Sequence, residues 1–288
     1  MQQVKREIRK KIFRRSVKKK DERDLGTYLS EETGISKQKI KHAMNSGAVW
    51  RKKEGKGKLL RVRRASSELY LNDWIEMHYD EDILSRSVEP AEKIVETKNW
   101  GIWHKTSGML AQGNEFGDHL SLLRQVEKER DEAYLVHRLD REVSGLMLIA
   151  YTSKAAGAFS KLWQAGDVRK IYLAEVQGNM LLTHPKEGTI NDSLDGKEAI
   201  THYKVVKAEG LKTLVEIEIE TGRYHQIRRH FHFIGYALMG DPRYGVGNKN
   251  EEGLRLVAYR LIFTDPISGK KQDIVLPEKY LPFSSKAP

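Results

Sequence analysis

Apolar residues recur with two different spacings along residues 93–288. Alternating or continuous apolar runs predict strands at residues 94–105, 133–137, 146–151, 171–176, 200–206, 211–219 and 254–263. Helical spacing predicts helices at residues 120–129, 154–164 and 224–233. These elements do not alternate regularly as they do around a parallel sheet. The pattern therefore predicts a mixed α+β domain with a largely antiparallel sheet.

A smaller module is predicted ahead of this domain, at residues 24–80. A helix begins near Leu25 and is interrupted by Gly34, and a second helix can be capped by Ser36 and ended by Gly47. Short apolar runs predict strands at residues 48–50, 59–64 and 69–79. The pattern is that of two helices followed by a small sheet, which makes a small α/β module.

The segments on either side of this module lack a core pattern. Residues 81–92 are polar and aperiodic and are predicted to form a linker. Residues 1–23 form a basic arm, in which Val4, Ile8 and Ile12 recur every four residues. This arm has two interpretations: a solvated segment that is frayed in isolation, or an amphipathic helix that forms on contact with a partner.

The positive charge of the chain is concentrated in its first quarter. Residues 1–70 hold 22 Lys and Arg against eight Asp and Glu, whereas residues 71–288 hold 29 against 32. Such a basic block binds a phosphate backbone or an anionic membrane surface. Because the remainder is near neutral and no apolar run approaches the ~20 residues of a membrane span, the charge pattern favours nucleic acid.

The chain contains no Cys, which excludes disulfides, zinc–thiolate sites and a thiol nucleophile. The absence of Cys also permits a reducing compartment. The first residues contain no apolar segment typical of a secretory signal. A cytoplasmic protein is therefore expected.

The first candidate for chemistry is HRLDREVSG, residues 137–145, which follows an apolar strand. Asp140 stands between Arg138 and Arg141, and neighbouring guanidinium groups favour the ionised carboxylate. An ionised aspartate can act as a nucleophile or as a base. Taken alone, the pattern fits a surface ion pair at a strand end equally well, so both interpretations stay open at this point.

A second cluster, TGRYHQIRRH at residues 221–230, places Arg and His near the predicted start of a helix, where anions bind. Zinc binding by His225, His230 and His232 is rejected. Their five-residue gap does not align two ligands on one helix face, and no acidic base accompanies them.

Four motifs, taken in order, resemble those of the RluA family of RNA pseudouridine synthases. The family patterns HRLDRxTSG, KxYxAxVxG, GRxHQIRxH and GDxxYG correspond to residues 137–145, 170–178, 222–230 and 240–245. The sequence departs from the family at Val143, which replaces Thr. It also has Thr106 for the Pro of Lys-Pro-x-Gly and Val257 for the His of Leu-His-Ala. None of these departures removes a proposed catalytic group.

The resemblance implies a pseudouridine synthase-like fold with no cofactor and no metal, and a catalytic set of Asp140, Tyr172 and Arg228. Asp140 corresponds to the essential aspartate, Tyr172 to the tyrosine that packs on the flipped uracil, and Arg228 to the arginine that pairs with the aspartate. Arg138 corresponds to an arginine that inserts where the base leaves the stack. The residues expected to bind RNA or to assist base flipping are Arg138, Lys170, Arg223, His225 and Gln226.

The front module resembles the S4 RNA-binding domain through Leu25, Leu29, Ser36, Lys39, Ile40, Met44, Gly47, Val49, Asn72, Asp73 and Ile75. It departs from that pattern by an insertion at residues 52–58 and by the lack of an Asn-Gly after Val49. The resemblance implies RNA contacts from Lys37, Lys39, Lys41, Arg51, Lys52 and Lys53. A basic helical cap on the second domain is the alternative.

These observations predict an enzyme that isomerises specific uridines to pseudouridine in structured RNA. Large-subunit ribosomal RNA, free or in an assembling subunit, is the expected substrate, and transfer RNA is the second candidate. The alternative from another class is a non-catalytic RNA-binding or ribosome-assembly factor of the same fold, against which the intact Asp140, Tyr172 and Arg228 argue. A glycoside hydrolase is disfavoured, because it needs paired carboxylates and only Glu142 accompanies Asp140. The absence of a coiled-coil pattern makes a monomer the expected state.

Overall fold

The computed structural model describes residues 8–18, 23–245, 247 and 252–283. By their contacts these residues divide into two units. The first unit comprises the described residues up to Val88 together with Gln112–Gln125, and the second comprises Glu89–Ala111 and the described residues from Val126 onward. Within the first unit, Asp118 anchors the inserted segment through ion pairs with two arginines, Arg61 and Arg63.

The first unit combines a four-stranded antiparallel sheet with two main helices. Its elements are β1 (Lys10–Ser16), α1 (Leu25–Thr33), α2 (Lys37–Asn45), β2 (Val49–Lys52), β3 (Leu60–Arg61), β4 (Trp74–Asp80) and α3 (Glu81–Leu84), and the sheet order is β1-β4-β2-β3. Asp24 caps α1 by accepting the Thr27 N–H at 2.7 Å, and Ser36 occupies the same position before α2. Gly34 ends α1 with a φ of 76°, in the left-handed region that favours glycine.

The structure contradicts both interpretations of the basic arm, the frayed segment and the helix, over residues 10–16. Residues 10–16 form β1, which pairs with β4 in an antiparallel ladder, while Val4 lies outside the described residues. Phe13 is buried in the core of the unit, and Arg14 lies 3.3 Å from Glu76 on the partner strand. Because these partners are distant in sequence, long-range pairing overrides the local four-residue spacing.

The second unit is built on a ten-stranded mixed sheet. Its strands are β5 (Glu92–Glu96), β6 (Trp100–Lys105), β7 (Tyr134–Leu135), β8 (Ser144–Ala150), β9 (Arg169–Gln177), β10 (Glu187–Ile190), β11 (Thr201–Glu209), β12 (Lys212–Ile219), β13 (Leu256–Thr264) and β14 (Lys271–Val275). The remaining helices are α4 (Leu122–Glu129), which begins in the first unit, α5 (Ser153–Ala165) and α6 (Gln226–Phe233). The segment predicted as a linker, residues 81–92, contains α3 and the first residue of β5.

The strand order is β10-β11-β12-β9-β13-β8-β6-β5, with β14 paired to β13 and β7 to β8. The pair β8–β13 is parallel, and the other strand pairs are antiparallel. This arrangement confirms the predicted α+β class and largely antiparallel sheet. The sequence pattern does not predict β10 and β14, because each buries a single residue. No helix in the described part of the chain is long and apolar enough to span a membrane.

The centre of the sheet brings together three strands that carry motif residues. Gly145 at the start of β8 and Tyr172 on β9 both lie next to Ala258 of β13. The φ of Gly145 is 120°, and a Cβ added there would lie 2.3 Å from the Ala258 carbonyl oxygen. Glycine is therefore required for β8 to approach β13, and this approach fixes the loop that precedes β8.

Candidate active site

The loop that carries Asp140 lies between β7 and β8 and is held through its backbone. The Val143 N–H donates to the Asp140 carbonyl oxygen at 3.2 Å, and this bond closes a turn. The Arg141 carbonyl accepts from the Gly108 N–H at 2.8 Å and from Lys105 Nζ at 3.3 Å. The Asp140 side chain, 21% exposed, thus projects from a backbone with little freedom to move.

Lys105, at the end of β6, is fully buried beneath this loop. Its Nζ also donates to the carbonyl oxygens of Met109 at 2.8 Å and Thr106 at 3.1 Å. Burial lowers the pKa of Lys105 to about 7, although the carboxylates of Asp140 and Glu142 act in the opposite direction. Thr106 stands where the family has Pro, and its carbonyl oxygen accepts a hydrogen bond from Lys105 Nζ.

Arg228 on α6 is a deeply buried charge of the site and has a bidentate partner. Its Nε and Nη2 donate to the two carboxylate oxygens of Asp241 at 2.8 and 2.9 Å, and both side chains are almost fully buried. Asp241 Oδ1 also accepts the N–H groups of Arg243 and Tyr244. Burial by itself would raise the pKa of Asp241, but these hydrogen bonds outweigh burial and lower it below its ordinary value.

Asp140 faces two side chains: Arg228 on α6, and His225, which directly precedes α6. Its Oδ2 lies 3.6 Å from Arg228 Nη1 and 3.4 Å from His225 Nε2. The resemblance implies that Arg228 pairs with Asp140. This contact is longer than the hydrogen bonds of Arg228 to Asp241. Arg141, which the sequence places beside Asp140, lies 3.3 Å from Glu142 instead.

His225 connects Arg228 to the following loop. Its Nε2 lies 3.1 Å from Arg228 Nη1, and its Nδ1 lies 3.1 Å from the Tyr244 hydroxyl. Burial lowers the pKa of His225; the Asp140 carboxylate opposes this shift, whereas Arg228 and Arg243 add to it. A neutral imidazole protonated on Nδ1 satisfies both contacts, because its Nε2 then accepts from Arg228 and its Nδ1–H donates to Tyr244.

The backbone of His225 is uncommon for a residue with a side chain. It precedes α6 with a φ of 53°, in the left-handed region, where histidine is among the enriched non-glycine residues. This turn allows the side chain of His225 to lie beside Arg228 while α6 begins at Gln226.

The site opens into a cavity of about 270 Å³. The predicted residues that line it are Arg138, Asp140, Tyr172, Arg223, His225, Gln226 and Arg228. Tyr172 is half-buried; burial and then the nearby Asp140 raise the pKa of its phenol, so the hydroxyl stays protonated. Apolar walls come from Leu139, Val143 and Leu256 among others. Such a mixture of apolar walls and a few convergent charged groups is typical of a ligand site.

The other predicted residues have varied surroundings. Gln226 is buried, and its amide contacts Ile200, Thr201, Thr221 and the Arg223 backbone, so within this structure it positions the start of α6. Its expected RNA contact stays a prediction.

Arg138 is exposed at the cavity, as is Arg223, whose Nε donates to the Glu198 carbonyl at 2.9 Å. Lys170 is not among the residues that line the cavity, and its Nζ donates to the Glu220 carbonyl at 3.3 Å. The structure therefore separates Lys170 from the other predicted residues of the second unit.

The six cations predicted to bind RNA in the first unit do not share one surface. Lys37 and Lys41, one turn apart on α2, line a groove of about 490 Å³ together with Arg64. Lys39 is paired with Glu81 at 2.6 Å, and Arg51 forms an ion pair with the buried Asp73. Lys52 lines a different cavity, and Lys53 Nζ lies 4.8 Å from the centre of the Tyr70 ring.

Sequence reasoning missed three residues around the cavity: Asp241, Tyr244 and Tyr224. The first two belong to the GDxxYG motif, so the motif marked the loop without indicating that its aspartate holds Arg228. Tyr224 stands at the variable position of GRxHQIRxH, where the pattern carries no signal. In the described part of the chain, no group of three or more His, Asp or Glu is placed to hold a metal ion.

Comparison with known proteins identifies similar sequences. The family model described as RNA pseudouridylate synthase matches residues 99–233. An uncharacterized RNA pseudouridine synthase of Bacillus subtilis is 33% identical over 207 residues, which cover 67% of this chain and 68% of that protein. Ribosomal large subunit pseudouridine synthase D of Nitrosomonas europaea is 33% identical over 227 residues, 71% of this chain and 61% of that protein.

A further relative shows how much of these proteins the chain covers. An uncharacterized RNA pseudouridine synthase of Chloroflexus aurantiacus is 37% identical over 159 residues, 50% of this chain and 49% of that protein. The chain therefore spans about half of this relative and less than two thirds of the Nitrosomonas protein. Among solved structures, human RNA pseudouridylate synthase domain containing 1 matches with a TM-score of 0.57 and 22% identity, over 68% of this chain and 87% of that chain. This match supports the fold.

Proposed function

The chain belongs to the RluA family of RNA pseudouridine synthases, and from this premise we propose that it isomerises specific uridines to pseudouridine in ribosomal RNA. The observation that carries the proposal is the position of Asp140, which lines a cavity beside Tyr172 and faces Arg228 and His225. The reaction breaks the N1–C1′ bond of uridine, turns the base and joins C5 to C1′.

The cavity suits one nucleotide that has left the RNA stack. Its volume of about 270 Å³ lies near the low end of the range for ligand sites, so a single extruded nucleotide fits and a base pair does not. Extrusion costs a few kcal/mol, which stacking in the pocket offsets. Tyr172 offers an aromatic ring for this stacking, and the exposed Arg138 is proposed to occupy the space that the base leaves.

Asp140 is proposed as the residue that acts on the nucleoside. It is exposed enough to meet a substrate, and it is close enough to Arg228 and His225 for its charge to be balanced in a partly buried position. Asp241 takes the two strongest hydrogen bonds of Arg228. Asp140 therefore keeps its oxygens available to the substrate, while the guanidinium still lies beside it.

Ribosomal RNA is proposed as the substrate because relatives named ribosomal large subunit pseudouridine synthase D match up to 71% of this chain. A protein that modifies ribosomal RNA is expected to work in the cytoplasm. The first unit offers a surface for a large RNA: Lys37, Lys41 and Arg64 line one groove, and none of the three forms an ion pair with a carboxylate among the described residues. Asp24 also lines this groove, but its carboxylate accepts the Thr27 N–H.

The catalytic proposal is tested by tritium release from RNA labelled at uridine C5, with ribosomal and transfer RNA compared. Wild-type protein should release tritium from ribosomal RNA. Asp140→Asn should abolish release while RNA affinity stays nearly unchanged, and Asp195→Asn, an exposed aspartate that pairs with Arg229, serves as the control. Turnover by Asp140→Asn would contradict the catalytic role. Release from neither RNA by the wild type would favour a binding factor.

The RNA surface is tested by the salt dependence of binding. Each cation that contacts a phosphate contributes about 0.7 to 0.9 to the slope of log K against log salt. The triple variant Lys37→Ala, Lys41→Ala, Arg64→Ala should therefore lower the slope by about 2 to 3.

The matched control for this triple variant uses three cations of the same unit that are already paired with carboxylates: Lys10, Arg14 and Arg15. Changing these three to Ala removes the same formal charge. If the slope of log K against log salt decreases equally in the two triple variants, net charge determines RNA binding and the groove does not.

A further inference from the structure

Tyr224 is a large aromatic residue that lines the cavity and is nevertheless 54% exposed. A single exposed aromatic residue is ordinary. Tyr224 differs in that its ring is held: it stacks on His225 with ring centres 3.8 Å apart and planes inclined by 20°. Its hydroxyl accepts a hydrogen bond from Arg243 Nη1 at 3.0 Å. A ring that is fixed at two points at the edge of a pocket has little entropy to lose when it binds a partner.

The residue beneath Tyr224 is itself fixed. His225 contacts Arg228 and Tyr244 at 3.1 Å each, and Arg228 is held by Asp241. The Tyr224 ring therefore extends a rigid stack from the buried arginine of the site to the protein surface.

The charges around Tyr224 are suited to a nucleic acid. Arg138 and Arg223 line the same cavity, and both are exposed. Exposed cations beside an exposed aromatic ring are the combination by which proteins bind single-stranded RNA, with phosphates on the cations and bases on the ring.

We propose that Tyr224 is a stacking platform for the base of a nucleotide next to the uridine that enters the cavity. This proposal rests on the proposed function. When a uridine leaves an RNA strand, the base on each side of it loses a stacking partner. Arg138 is proposed to occupy the space between these bases, and the exposed Tyr224 ring stacks on one of them as it enters the edge of the cavity. Tyr172 inside the cavity and Tyr224 at its edge then bind two different bases, which makes Tyr224 a determinant of the sequence or structure around the target.

Binding of short RNA probes tests this proposal without requiring turnover. The first probe is a nine-nucleotide oligouridylate, and the second is the same oligomer in which all residues except the central uridine are abasic. Tyr224→Ala should weaken binding of the first probe by about 5- to 150-fold, the range that base–aromatic stacking provides. It should leave binding of the second probe unchanged, because that probe has no neighbouring base.

Two variants separate stacking from other effects. Tyr224→Phe keeps the ring face and should bind the first probe within about twofold of wild type, since only the Arg243 hydrogen bond is lost. Phe233→Ala is the matched control: Phe233 is 55% exposed at the end of α6, the helix that follows Tyr224, but does not line the cavity, so both affinities should stay unchanged.

Several results would overturn the proposal: equal weakening of both probes by Tyr224→Ala, a Tyr224→Phe variant as weak as Tyr224→Ala, or wild-type protein that binds both probes equally or neither. Failure of the isomerase proposal is distinguishable from these results. A wild type that releases no tritium but binds the first probe more tightly than the second refutes the reaction and leaves the role of Tyr224 to be decided by the variants.

Discussion

The buried pair Arg228–Asp241 makes a quantitative prediction, and the variant that tests it is Asp241→Asn. The substitution keeps the shape of the side chain and removes one charge. Its amide oxygen can still accept from the Arg243 and Tyr244 N–H groups, as Asp241 Oδ1 does. Its amide NH₂ group, however, then faces Arg228 Nε at the position of Oδ2, 2.8 Å away, where two donors oppose each other. Arg228 is thereby left buried without its main counter-charge.

Removing one partner of a buried ion pair costs about 3–5 kcal/mol. For a unit of the size of the second unit, each kcal/mol of lost unfolding free energy lowers the melting temperature by roughly 2–4 °C. Asp241→Asn should therefore lower the melting temperature by about 6–20 °C. The control is Asp273→Asn, which breaks a second bidentate pair at 2.6 and 2.7 Å, with Arg260. Because both of those side chains are more than a third exposed, the control should lose about 0–1 kcal/mol.

The assay is urea and thermal unfolding of the 288-residue wild type and the two variants, measured from pH 7 down to pH 3. The folded-state pKa of Asp241 lies below the unfolded value of about 3.9, so its stabilisation is complete above that value and is lost as the pH falls through the folded pKa. The difference in unfolding free energy between wild type and Asp241→Asn should therefore be largest near neutral pH and should decrease in acid. If Asp241→Asn costs no more than Asp273→Asn, burial does not govern the strength of these pairs and the reasoning is refuted.

The remaining predictions concern three groups around Asp140. Tyr172→Phe should keep kcat/KM for tritium release within about tenfold of the wild-type value, because the ring provides the stacking surface. Tyr172→Leu removes the ring and should lower kcat/KM by a further factor of about 5 to 150. Equal decreases in the two variants would contradict a stacking role. Lys105 has a folded pKa of about 7 against about 10.4 unfolded, so wild-type stability should rise with pH between these values by up to about 1.4 kcal/mol per unit. Lys105→Met should lack this rise in urea unfolding at pH 7 and pH 9, and an identical rise would exclude Lys105 as its source. Neutral His225 accepts a hydrogen bond from Arg228, and the pKa of His225 is lowered from its ordinary value of about 6.5. The kcat/KM of the wild type should therefore fall through His225 protonation only below about pH 6.5. His225→Gln should remove this decrease from the acid side of the pH profile.

Much of the fold could be predicted because its elements have strong local signals. The helices α5 and α6 and the strands β8 to β13, apart from β10, coincide with runs of the expected period. The failure at residues 10–16 has a physical cause: the four-residue spacing of Ile8 and Ile12 is a local pattern, whereas Phe13 finds its buried environment only when β1 pairs with β4.

The sequence by itself identified the candidate catalytic residues, since Asp140, Tyr172 and Arg228 each lie in a short motif that local order makes recognisable. The tertiary structure alone decided how the charges are paired. Sequence proximity suggests that Arg141 neutralises Asp140, but Arg141 lies beside Glu142, and Arg228 binds Asp241 more closely than Asp140. The reason is that the energy of an ion pair depends on distance and burial, and both are set by how distant segments pack, which the order of residues along the chain does not contain.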